Sequence, residues 1–174
     1  MSLQEKASKI KAIVLDVDGV LTDGGIGYGG DSDGEIKFFN VRDGHGIKLA
    51  QRAGLKVGIL SGRKSRANQV RARELNLDFL YEDMKDKQSG FRLLLDENRL
   101  SAEECMYIGD DVVDAQPMRM SGIAVAVGDA VRELDAVCDI RTKAFGGKGA
   151  VREAVEWLLK TQGKWESLMQ RYFG

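Results

Sequence analysis

Proline, cysteine, histidine and net charge are all scarce in this 174-residue chain. Proline occurs once, as Pro117. No repeat, low-complexity segment or linker interrupts the chain, so one domain spanning residues 1–174 is expected. The two cysteines, Cys105 and Cys138, each sit in an apolar segment without metal-ligand spacing. That excludes a disulfide framework or thiolate metal site and leaves two reduced thiols, as in a cytoplasmic protein. The only histidine is His45. Charge of one sign is missing too: 26 basic against 27 acidic residues give a net charge of -1. Neither nucleic acid nor a membrane surface is therefore expected as the main partner. No N-terminal apolar run resembles a signal peptide, and no run is long enough to span a bilayer.

Glycine, by contrast, is abundant. Most of the 21 glycines cluster at 19–34, 44–46, 58–62, 109 and 146–149. Several clusters follow short apolar runs that read as buried strands: Lys11–Leu15, Lys56–Leu60, Phe79–Tyr81, Met106–Ile108 after Cys105, and Ile123–Val127. Helical patterns alternate with them, marked by Ile47, Leu49 and Ala50, by Val70, Ala72 and Leu75, and by Phe91, Leu93, Leu94 and Leu95. Ser101–Glu104 has the spacing of a capping box. Gly149–Thr161 is amphipathic, with Val151, Val155, Leu158 and Leu159 on one side. Repeated β-α alternation predicts an α/β fold, a Rossmann-like parallel sheet with helices on both faces. One insertion breaks the alternation. Strand-type residues flank Gly29–Gly34, which predicts a β-hairpin over about 24–40. Its residues Ile26, Tyr28, Ile36, Phe38 and Phe39 are apolar, and a lone hairpin is unstable. It must pack on the domain or on another subunit.

The acids carry the chemistry. The first strand ends on Asp16, and Asp18 follows two residues later, a spacing that suits one nucleophile and one general acid/base. A second cluster, Asp110, Asp111 and Asp114, follows the "MYI" strand. Two acid clusters at the carboxyl ends of parallel strands can converge, and their charge suits a hard dication, Mg²⁺ above all. Ser61, Gly62 and Arg63 follow the "KVGIL" strand with a hydroxyl and backbone N–H groups fit for phosphate oxygens. Lys85 and Lys87 precede the Phe91 helix, where an ammonium can neutralise a phosphoryl group. Taken singly, each piece also reads as a turn or a solvated lysine. Their order at successive strand ends does not. The basic run Arg63, Lys64, Arg66, Arg71 and Arg73 lacks interleaved aromatics and reads as a solvated helix face.

In that order, DVDGVLTDG, LSGR, KDK and IGDDVVD, the sequence resembles the haloacid dehalogenase superfamily of phosphohydrolases. The resemblance implies that Asp16 forms an aspartyl-phosphate and that Asp18 protonates the leaving alcohol and then activates water. It implies that Ser61 and Lys87 bind the phosphoryl group. Mg²⁺ would be held by Asp16, the Asp18 backbone carbonyl and Asp110, with Asp111 and Asp114 in support. Asp23 has no catalytic task and is expected at a turn or the hairpin base. VRDGHGIKLA and GGKGAVREAVEWLL narrow the likeness to the cap-less group that acts on 3-deoxy-D-manno-octulosonate 8-phosphate. That likeness implies a homotetramer built around the hairpins and a neighbour's C-terminal segment closing each site. Arg42, Asp43 and Arg63 become candidates for the sugar-acid end, with a structural pair at a helix start as the other reading of the first two. Relatives acting on nine-carbon ketoacid phosphates tend to carry glutamate at position 63 and no RDG. A non-catalytic oligomerising domain would lack one of the motif aspartates, and both are present. His45 and Lys148 depart from the group's usual residues, and His45 is expected at the surface or the substrate's edge. The tail 164–174 places Trp165, Leu168, Met169, Tyr172 and Phe173 on one helix face, as part of a C-terminal helix and tail over about 149–174.

Overall fold

The computed structural model describes residues 1–29 and 34–174. In chain order the elements are α1 (Leu3–Lys9), β1 (Ala12–Leu15), β2 (Gly27–Gly29), β3 (Gly34–Ile36), α2 (Val41–Arg52), β4 (Lys56–Leu60) and α3 (Arg66–Glu74). There follow β5 (Phe79–Tyr81), α4 (Lys87–Asn98), β6 (Cys105–Gly109), α5 (Ala115–Met120), β7 (Ile123–Ala126), β8 (Ile140–Arg141), α6 (Ala150–Thr161) and α7 (Trp165–Phe173). The six-stranded sheet runs β5-β4-β1-β6-β7-β8, and every pairing in it is parallel. Strands β1, β4, β6 and β7 are almost wholly apolar and buried, as strands covered on both faces must be.

Topology decides where a site can form. The chain steps from β1 out to β4 and β5, then returns across β1 to β6 and continues to β7 and β8. Right-handed crossovers put the outward and return helices on opposite faces. The contacts agree: α1, α2, α6 and α7 pack among themselves, while α4 packs with α5. The reversal beside β1 opens a crevice at the carboxyl ends of β1 and β6.

Of the expected helix positions, Ala72, Leu75, Phe91, Leu94 and Leu95 are buried, but Val70 and Leu93 lie exposed. Three elements went unsignalled. Strand β8 has only two residues, α5 only six, and α1 is a short helix whose Ser2 and Glu5 form a capping box. The Ser101 turn is a single 3-10 turn, with Glu104 accepting from the Ser101 N–H.

The hairpin pairs Gly27 with Ile36 and Tyr28 with Glu35; the turn expected at 29–34 lies mostly outside the described residues. Its second strand ends at Ile36, short of the expected Asn40. Phe39 turns inward beneath the Arg71 guanidinium, 5.5 Å from its ring centre. Tyr28, Ile36 and Phe38 stay exposed. Arg71 is thus largely buried, unlike the solvated face expected for its run.

Helix α6 packs Val151, Val155, Leu158 and Leu159 fully into the core. Its approach loop, 146–149, braces the β1 loop: Gly147 N–H donates to Val20 O at 2.9 Å. A Cβ on Gly146 would lie 1.7 Å from Gly19 O, so only glycine allows this contact. Helix α7 folds back on its own chain, where Trp165, Leu168 and Met169 pack against the core. Phe173 remains exposed. Cys105 is buried and Cys138 half-buried, both as free thiols.

Candidate active site

Strands β1 and β6 are register neighbours, with Leu15 opposite Ile108. Asp16 and Asp110, the residues beyond their ends, therefore emerge side by side. Carboxylate oxygens of Asp16, Asp110 and Asp114 lie within 4.8 Å of one another. The loop after Asp16 is tied by Thr22, whose hydroxyl donates to Val17 O and accepts from the Gly19 and Gly24 N–H groups. Gly19 has φ +89°, and a Cβ there would lie 2.0 Å from Asp110 Oδ2. Asp23 sits outside the site: it accepts from Gly25 N–H in a turn and faces Lys148 at 3.5 Å.

Lys87 Nζ lies 2.9 Å from Asp16 Oδ2 and 2.6 Å from Asp114 Oδ1. Asp86 caps α4 by accepting from the Gln88 and Ser89 N–H groups, which starts the helix at Lys87. That start aims Lys87 inward and leaves Lys85 exposed beside Asp83 at 3.4 Å. Asp114 is fully buried and fully used. Its Oδ1 also accepts from Tyr107 OH at 2.8 Å, and its Oδ2 accepts from the Asp110 and Asp111 N–H groups at 3.1 and 3.4 Å. Asp110 is the opposite case: its Oδ1 is buried with no hydrogen-bond partner among the described residues.

The electrostatics follow from that packing. Burial, then the charges of Asp16 and Asp114, push Asp110 up to about 8. Burial and Asp114 push Asp16 up to about 6 against the pull of Lys87. Burial opposes the charge on Lys87, but Asp16 and Asp114 outweigh it and hold the ammonium above its usual value. An orphaned buried carboxylate oxygen among clustered acids is what a hard dication relieves.

Asp16, Lys87 and Asp110 line a cavity of about 190 Å³ with Asp18, Ser61, Gly62, Arg63, Asp111 and Val113. Ser61 is buried at the end of β4, and its Oγ accepts from the Arg63 N–H at 3.2 Å. Asp111 accepts from Val112 N–H at 2.7 Å and holds the turn. Asp18 Oδ1 accepts from Lys37 Nζ at 2.6 Å, while Arg63 Nε lies 3.7 Å from Asp18 Oδ2 and the Arg63 guanidinium pairs with Glu35. Lys37, Glu35 and Asn68 were not singled out from the sequence. The signal was a lysine between Ile36 and Phe38 in an apolar hairpin.

Arg42 and Asp43 are not brought into this cavity. Asp43 is buried, and its two oxygens accept from Gly149 N–H at 3.2 Å and Arg152 N–H at 2.8 Å, capping α6 from α2. Burial outweighs these bonds and raises its pKa. Arg42 lines a separate cleft with Lys148 and Arg152. His45 is exposed at the other end of α2's first turns, with Nε2 2.9 Å from Tyr172 OH of α7.

Comparison with known proteins agrees with this geometry. A haloacid dehalogenase-like hydrolase model matches residues 43–122, taking in Ser61, Lys87 and Asp110–Asp114. The 3-deoxy-D-manno-octulosonate 8-phosphate phosphatase KdsC of Escherichia coli K12 is 42% identical over 159 residues, 91% of this chain and 84% of that one. The chain belongs to the 3-deoxy-D-manno-octulosonate 8-phosphate phosphatase family of haloacid dehalogenase-like hydrolases. The Yersinia pestis member is 38% identical over 93% of this chain and 86% of that one. Solved phosphatases of the family superpose closely. One from Moraxella catarrhalis, in complex with magnesium, phosphate and KDO, gives a TM-score of 0.92 at 34% identity, covering 97% of both chains. The cobalt-bound phosphatase of Haemophilus influenzae gives 0.87 at 38% identity, covering 91% of this chain and 92% of that one.

Proposed function

We infer that this chain is a Mg²⁺-dependent phosphomonoesterase that releases phosphate from 3-deoxy-D-manno-octulosonate 8-phosphate, a step of lipopolysaccharide synthesis. The observation that carries the reading is the meeting of Asp16, Lys87 and Asp110 at one sheet edge. Asp16, Asp110 and the Asp18 backbone carbonyl would hold the ion, which supplies charge neutralisation for an anionic ester among carboxylates.

The chain's own residues do the rest. An Asp16 oxygen attacks phosphorus, and the ester P–O bond breaks to leave an aspartyl-phosphate. The departing alkoxide takes a proton from the Asp18 carboxyl. In the second half Asp18 removes a proton from water, the water oxygen attacks phosphorus, and the bond to Asp16 breaks to give phosphate. The Ser61 hydroxyl, the Gly62 N–H and the Lys87 ammonium bind the phosphoryl oxygens throughout. The cavity of about 190 Å³ suits a phosphoryl group and leaves the sugar acid at its mouth. There the half-exposed guanidinium of Arg63 suits the substrate's carboxylate.

Ile36 and Phe38, two residues apart, are both exposed on the hairpin, which supports assembly of the active enzyme as a homotetramer through these hairpins. Residues 1–174 act as one phosphatase domain in this reading, supported by one continuous core cluster. Free thiols at Cys105 and Cys138 support a cytoplasmic location.

The deciding experiment is steady-state phosphate release with Mg²⁺ on eight-carbon and nine-carbon ketoacid phosphates. A large preference in kcat/KM for the eight-carbon compound supports the assignment. A preference for the nine-carbon compound moves the substrate and keeps the mechanism.

A further inference from the structure

At the end of the hairpin, the order of side chains reverses what solvent dictates. Ile36 is 46% exposed, while the side chain of Lys37 is wholly enclosed. Withdrawing an ammonium from water carries a large desolvation cost unless it is paired and hydrogen-bonded. Lys37 meets that condition at one place. Its Nζ donates to Asp18 Oδ1 at 2.6 Å and to Asn68 Oδ1 at 3.2 Å, with Glu35 Oε2 at 3.7 Å. Asn68 is fully buried on α3. The other Asp18 oxygen, Oδ2, lies on the Arg63 side of the carboxylate.

We propose that Lys37 is a positioning residue for Asp18, fixing the carboxylate by one oxygen so that the other faces the leaving group. This rests on the acid/base role given to Asp18 above. A short aspartate at a loop has several staggered rotamers. Proton transfer needs one of them, held within hydrogen-bond reach of the ester oxygen. Lys37, backed by Asn68 and Glu35, selects it. The hairpin is thereby part of the catalytic machinery as well as an assembly surface: Ile36 and Phe38 face out, while Glu35 and Lys37 face the acid.

The test compares kcat/KM for the sugar-acid phosphate and for p-nitrophenyl phosphate, because kcat/KM covers only the steps through alcohol release. A phenolate leaves without needing a proton, whereas a sugar alkoxide does not. Lys37→Met is expected to lower kcat/KM about 10²-fold on the sugar phosphate and less than about 10-fold on the phenyl ester. Lys37→Arg restores most of the loss. Asn68→Ala, which removes only a neutral support, gives the same selectivity at smaller size and stands in should Lys37→Met misfold. Equal losses on both substrates, or no loss, overturn the proposal. Asp18→Asn is run beside them. If it too lacks leaving-group selectivity, the acid role of Asp18 has failed rather than the role of Lys37.

Discussion

Asp16 must stay ionised to attack phosphorus, yet it is buried among acids. Lys87 supplies the opposing charge within hydrogen-bond distance. Asp16→Asn is expected to lower kcat by on the order of 10⁴-fold or more with the fold intact, read by phosphate release and circular dichroism; an active variant would sink the covalent mechanism. Gly19 answers a different constraint. Its positive φ and its approach to Asp110 mean that Gly19→Ala both strains the turn by about 1–2 kcal/mol and displaces Asp110, the proposed metal ligand. The expected result is a raised Mg²⁺ requirement in activity titrations as well as a lower Tm. Asp110 links metal to pH. Its folded pKa of about 8 lies above its ordinary value, so the metal-free folded protein holds an extra proton between about pH 4 and 8. Stability of the metal-free protein therefore falls as pH rises through that window, and Mg²⁺ must displace the proton at its lower end. The rise in Tm caused by a fixed Mg²⁺ concentration should be larger at pH 8 than at pH 6. An equal or smaller rise at pH 8 would mean that Asp110 is not the ligand.

Among elements, α4 and α7 show how a helix end serves the site or the core. Asp86 starts α4 one residue before Lys87, so the lysine enters the site from the first turn. Helix α7 covers the α2–α6 face with Trp165, Leu168 and Met169, and Trp165 stacks under Arg152 at 5.5 Å. Removing residues 164–174 uncovers that face. The cost is about 2 kcal/mol for partly buried side chains, which a differential scan should read as a Tm lower by roughly 4–8 °C. An unchanged Tm would show that the helix does not dock on its own chain in solution.

Across the whole molecule, a single reversal of strand order gathers residues from β1, β4, α4 and β6 at one edge. The hairpin projects from that edge with Ile36 and Phe38 outward. Multi-angle light scattering should give the mass of four chains. Phe38→Asp, at an 80% exposed position, should shift the population to smaller species without unfolding the protomer. A wild-type monomer would remove the assembly role of the hairpin.

Much of this molecule is determined by local sequence. Short apolar runs ending on Leu15, Leu60 and Gly109 read as buried strands, and acids just beyond them fall at the carboxyl edge, so the fold and the convergence of Asp16, Asp18, Ser61, Lys87 and Asp110 were legible without coordinates. Long-range pairings were not, because they depend on how close two distant segments come. Asp43 stood open between a contact to the sugar-acid end and a structural role at a helix start, and packing makes it the cap of α6. The choice between Lys85 and Lys87 waited on where Asp86 started a helix. Lys37 was not singled out from the sequence, and only the folding of the hairpin over α3 buried its ammonium against Asp18. Periodicity reports which face of an element is apolar; which charge meets which across the fold is decided by tertiary distance, where burial turns a weak surface pair into a strong constraint.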